Sequence, residues 1–71
     1  MSARKSIDPA KERVKVELHE LRERIVKLEA FINSTAITKL KGRMQGLLAL
    51  QLGYMHEYED VLVERLRIWD D

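Results

Sequence analysis

From Val14 onward the apolar positions step by four and three: Val14, Leu18, Leu21, Ile25, Leu28 and Ile32. A 4-3 repeat places one continuous apolar stripe on an α-helix and predicts shallow packing against a second helix. Asp8-Pro9 marks the start, because a carboxylate can accept a backbone N–H at the N-cap and proline suits the first helical position. Lys15, Glu17, Glu20, Arg22, Glu23, Lys27 and Glu29 fill the remaining positions as a charged, solvated face. Glu20–Arg24 and Glu23–Lys27 have the i,i+4 spacing of favourable ion pairs.

Asn33-Ser34-Thr35 breaks the pattern, since these side chains bond their own backbone and favour turns and caps. A second helix is predicted from about Ala36 to Trp69, with Thr38 and Gly42 as weak formers in its first turns. At 1.5 Å per residue the two helices span roughly 37 Å and roughly 50 Å. A short connection between them implies an all-α, antiparallel helical hairpin. Residues 1–8 read as a basic N-terminal tail and 9–71 as one helical-hairpin domain.

The second helix carries two apolar stripes. One is Met44, Leu48, Gln51, Met55, Tyr58, Leu62, Arg65 and Trp69; the other is Leu47, Leu50, Tyr54, Val61 and Ile68. A hairpin covers only one, so the other faces water unless a second chain meets it. Gly42, Gly46 and Gly53 each cost about 1 kcal/mol inside a helix, which suggests close approach of another helix or a ligand. These features predict an obligate homo-oligomer.

Composition agrees. The chain has 71 residues and no cysteine, so neither a large core nor a disulfide is at hand, and helix packing or self-association must supply stability. Lys and Arg number 13 against 12 Asp and Glu, a balance that argues against a general DNA-binding surface. The N-terminus lacks the apolar stretch of a signal peptide and no run reaches transmembrane length. A soluble, cytoplasmic protein is expected.

Arg65 and Gln51 are the residues that ask for explanation, because a guanidinium and an amide on an apolar seam need partners. Two readings stand. In one, Arg65 snorkels or pairs with Glu57 or Glu64 of a neighbour, and Gln51 fixes register. In the other, symmetry gathers copies of Arg65, with Arg67 beside it, around an anion whose oxygens match the planar guanidinium fork. His19 and His56 are single, which argues against a metal site. Glu57, Glu59 and Asp60 read as an acidic surface turn, and Tyr54, Tyr58 and Trp69 as core more often than as a stacking platform. No nucleophile–base pair is evident, so no enzyme activity and no cofactor are expected.

The pattern Arg13-Val14, Leu21, Arg24-Ile25, Leu28, Phe31-Ile32, Ser34, then Leu47-Leu48, Gln51, Met55, Tyr58, Leu62 and Arg65-Leu66 resembles the tailed-phage anti-CBASS cyclic-oligonucleotide sponges. The likeness covers residues 12 to 66, with Phe31, Gln51, Tyr58 and Arg65 its most telling positions. It implies a small helical hexamer in the host bacterial cytoplasm that binds cyclic tri- and dinucleotides without cleaving them. Holding the messenger keeps an immune effector inactive. By this resemblance Arg65 contacts phosphates in a trinucleotide pocket, and Arg24 or Lys27 serves a dinucleotide pocket. Relatives carry an aromatic residue near the position of Lys11, where it can stack on a base; the lysine here implies a weaker dinucleotide pocket. An oligomer seam of Gln51, Met55, Tyr58, Leu62 and Trp69 is expected.

Two other classes fit the residues. A structural or adaptor oligomer would dock a partner protein's helix on the second stripe. A nucleic-acid binder would use Arg4, Lys5 and the run Lys39-Leu40-Lys41-Gly42-Arg43, which otherwise reads as a solvated helix start.

Overall fold

The computed structural model describes residues 8–70. Three elements follow one another: helix α1 (Pro9–Ile32), a 3-10 turn (Thr35–Lys39) and helix α2 (Gly42–Arg67). They form an elongated hairpin measuring 58 × 17 × 14 Å. Cross-helix bonds join Asp8 to Trp69, Arg22 to Glu59 and Glu29 to His56, so partners descend along α2 as α1 ascends, which is the antiparallel arrangement expected.

Helix α1 starts as its sequence dictates. The Asp8 carboxylate accepts hydrogen bonds from the Ala10 and Lys11 amides at 3.0 and 3.4 Å, and Pro9 opens the first turn. Asp8 also accepts from the Trp69 indole N–H at 3.0 Å, and Lys11 pairs with Asp70 at 3.2 Å. Asp8 therefore belongs to the helical unit and not to the tail; residues 1–7 lie outside the described residues. The indole hydrogen bond is the largest cause of a lowered Asp8 pKa.

The predicted beginning of the second helix is corrected. Ser34 caps a 3-10 turn by accepting from the Ala36 amide at 3.2 Å, and the Thr38 hydroxyl donates to the Thr35 carbonyl at 2.6 Å. These local bonds compete with α-helix formation. The chain then runs extended through Leu40 and Lys41 before α2 begins at Gly42.

Val14, Leu18, Leu21 and Ile25 of α1 close over Leu62 of α2, with Leu52, Met55, Leu66 and Trp69 packed around them. The covered stripe of α2 is Gln45, Leu48, Leu52, Met55, Glu59, Leu62, Leu66 and Trp69, whereas Met44, Gln51, Tyr58 and Arg65 are exposed. The two series share Leu48, Met55, Leu62 and Trp69 and differ by one residue at every alternate position. Both step by three and four, and α1 selects the series whose other members are Leu52 and Leu66. Arg65 and Gln51 thus do not lie on the seam inside the hairpin.

A Cβ added at Gly42, Gly46 or Gly53 would meet nothing within 4 Å. Close packing inside the hairpin therefore does not account for these glycines. Alanine at Gly53 should stabilise the hairpin by about 0.5–1 kcal/mol through the lower entropy of its unfolded chain. A rise in the midpoint of urea unfolding would show it.

Candidate functional site

The face of α2 turned away from α1 carries the candidate site. Leu47, Leu50, Gln51, Tyr54, Met55 and Tyr58 line an open groove of about 520 Å³. Tyr54 is fully outside the core, contrary to the reading of the tyrosines as buried, and Tyr58 is exposed with its hydroxyl donating to Glu17 across the hairpin. Trp69 does join the core while bonding Asp8. Among the described residues the Gln51 amide reaches only the Met55 sulfur, at 3.9 Å, which leaves its other hydrogen-bonding capacity for solvent or a ligand.

The candidate arginines differ. Arg65 is exposed and, among the described residues, enters no ion pair. Arg67 is held by Glu64 through two parallel bonds, Nε to Oε1 at 3.0 Å and Nη2 to Oε2. That fork raises the Arg67 pKa and lowers that of Glu64. Any incoming anion would compete with a carboxylate at Arg67 and, among the described residues, with none at Arg65.

Lys11, Arg24 and Lys27 are not brought together in one chain. Lys11 is tied to Asp70, while Arg24 and Lys27 stand exposed about 20 Å or more farther along α1 by helical rise. Of the expected seam, Gln51 and Tyr58 are on the outer face, Met55 lies between faces, and Leu62 is fully enclosed within the protomer. Leu62 accordingly serves the hairpin's own core and not a contact between copies. The i,i+4 pairs expected on α1 are not the ones formed among the described residues; Glu23 pairs instead with His19 at 3.4 Å.

A family model described as Sequestin matches residues 8–68, from the N-cap of α1 to the C-cap of α2. The chain belongs to the Sequestin family. No curated protein and no solved structure matches it. The Sequestin match therefore encloses both helices, the outer groove and the basic residues from Lys11 to Arg67 considered for the ligand pockets.

A polar cluster that sequence reasoning missed staples this Sequestin hairpin. Glu59, expected on an acidic surface turn, is half-buried in mid-helix, with Arg22 Nε donating to it at 2.7 Å. His56 lies 3.1 Å from Glu29 and 3.4 Å from Glu59. The only sequence signal was the i,i+3 spacing of His56 and Glu59 and the i,i+7 spacing of Arg22 and Glu29, which place each pair near one face. The Arg22 bond is the largest cause of a lowered Glu59 pKa, and the Glu29 bond the largest cause of a raised His56 pKa.

Protonated His56 binds both carboxylates, so folding gains from its charge. That gain is present in full below pH 6.5, the ordinary imidazole value, and is lost as pH rises through the higher folded value. The lowered carboxylates act in the opposite sense at acid pH, losing their contribution as pH falls through their folded values. The melting temperature should therefore fall between about pH 6 and pH 8, and His56→Gln should flatten that slope. An equal slope in both proteins would exclude the staple.

Among the described residues no group of three or more His, Asp or Glu is placed to hold a metal ion. No helix among them is long and apolar enough to cross a membrane. Charge is segregated: residues 30–56 contain Lys39, Lys41 and Arg43 and no acid, whereas 57–70 contain five acids and two arginines.

Proposed function

We propose that this Sequestin-family chain is a non-enzymatic sponge. Copies of it assemble, as a hexamer by resemblance to the phage anti-CBASS proteins, and bind cyclic oligonucleotides without cleaving them. Cyclic trinucleotides are the principal ligand and cyclic dinucleotides the second class. Retaining the messenger in the infected bacterial cytoplasm blocks CBASS-type signalling and so serves immune evasion by the phage. The observation that carries this reading is the family match across residues 8–68, whose name denotes sequestration. It is supported by the exposed Arg65, which has no competing carboxylate among the described residues, and by the uncovered apolar groove beside Gln51. Arg65 is assigned to ligand phosphate, with Arg67 in support; Lys11, Arg24 and Lys27 are the basic residues available to a dinucleotide pocket formed between copies.

The test is isothermal titration of a sample of known solution mass against a panel of cyclic di- and trinucleotides. Binding at a simple fraction of a site per chain, with ligand recovered intact, is expected. A folded oligomer silent across the panel would instead favour the adaptor reading, in which the exposed Leu47, Leu50 and Tyr54 receive a partner protein's helix.

A further inference from the structure

We propose that the first turns of α2, residues 42–51, form an arm that melts and refolds independently of the hairpin core, and that the outer groove is complete only while this arm is helical. The second clause rests on the sponge reading for the ligand that would use the groove.

The two helices are staggered. Glu29 meets His56, so in antiparallel register α1, which ends at Ile32, stops about level with residue 53 of α2. Residues 42–52 therefore project roughly 15 Å past the end of α1. The overall length of 58 Å agrees, since neither helix alone exceeds roughly 40 Å. The 3-10 turn packs chiefly on α1 and does not fill the gap. Across residues 42–51 none is buried, and only Gln45 and Leu48 are half-buried. Gln45 bonds the Leu40 carbonyl at 2.8 Å, which ties the arm to the turn and not to α1.

Local forces act in the same direction. Helix α1 begins with the Asp8 cap and has Glu12 in its first turn, both favourable at the positive end of a helix. Helix α2 begins at Lys41 with no side-chain cap and no acid in its first turn. Lys41 and Arg43 set positive charge against that end of the dipole. Gly42 and Gly46 add backbone freedom that favours the melted chain. Leu47, Leu48, Ala49 and Leu50 are good helix formers, so the arm extends α2 as a helix. A terminal stretch without tertiary packing nonetheless opens on its own. Packing begins at Leu52, which lies against the core.

The candidate site inherits this division. Of the groove residues, Leu47, Leu50 and Gln51 stand on the arm, and Tyr54, Met55 and Tyr58 on the supported part. Melting removes one wall and leaves the other. A ligand spanning both walls would hold the arm helical, and its affinity would be lowered by the fraction of time the first wall is missing.

Hydrogen exchange on the intact chain reads the arm first. Amides of residues 46–51 should exchange on the order of 100-fold faster than those of 57–64. Gly46→Ala, whose methyl meets nothing within 4 Å, should slow the arm roughly two- to fivefold. Proline gives the second reading, because it breaks a helix interior. Ala49→Pro should leave the urea midpoint unmoved, whereas Glu57→Pro, also exposed but beside α1, should unfold the protein. Equal protection of the two stretches, or unfolding by Ala49→Pro, overturns the arm. Titration with cyclic triadenylate reads the groove: Ala49→Pro, its hairpin intact, should bind roughly tenfold or more weakly than the parent. Unchanged affinity there overturns the arm's part in the groove and leaves the sponge reading intact. Silence of the parent protein overturns that part and the sponge reading together, while exchange still reports the arm.

Discussion

Leu62→Ala is expected to leave the protein largely unfolded at 25 °C. Leu62 is completely enclosed, 0% exposed, between Val14, Leu18, Leu21 and Ile25. Truncating such a leucine typically costs about 2–5 kcal/mol, made up of lost transfer free energy and the cavity left behind. A chain of this size draws only about 3–5 kcal/mol from its core, so one deletion can consume the whole margin. Far-UV circular dichroism with urea unfolding measures it, and Leu47→Ala, on the exposed face, is the control that should barely move. A Leu62→Ala protein that unfolds at the parent's urea concentration would show that the helices do not pack as described.

Arg65→Ala is expected to reduce affinity for cyclic trinucleotide by about 10- to 100-fold per site. A hydrogen bond between charged partners contributes about 1.5–3 kcal/mol, and each 1.4 kcal/mol is roughly tenfold in dissociation constant. Because Arg65 is exposed and holds no other residue in place among those described, helicity should be unchanged. Arg67→Ala should cost less, since its guanidinium is already engaged by Glu64. Calorimetry on the three proteins at one salt concentration gives the comparison. Equal losses would mean that the Glu64 fork opens on binding; an unaffected Arg65→Ala would remove Arg65 from the site.

Much of the fold is legible in the residues themselves. Asp8-Pro9 starts α1 where capping chemistry says it should, and Val14, Leu18, Leu21 and Ile25 are buried as their spacing requires. The phase of α2 is not legible, because 51 and 52, 58 and 59, 65 and 66 offer two amphipathic series that share every other member. Choosing between them depends on what α1 presents. Glu59 illustrates the reason: a carboxylate reads as surface until Arg22 and His56 are known to meet it. The turn is illegible for the same reason, since the Ser34 and Thr38 hydrogen bonds outweigh a helical pattern that runs through them. Of the candidate site, the position of Arg65 on α2 is not legible from spacing alone. Sequence placed it on a seam, and the fold puts it on open surface.

The segregation of charge along the hairpin has a kinetic consequence. The chain is nearly neutral, with a formal charge of +1, yet its acid-free turn half and its acid-rich C-terminal stretch are spread over a body 58 Å long. Such a molecule is an electric dipole, and a dipole orients approaching ions even when its net charge does not attract them. A small anion would be drawn first to the end bearing Lys39, Lys41 and Arg43. Added salt shortens the reach of that field to about 8 Å at physiological strength, so capture would slow with ionic strength far more than a single positive charge suggests.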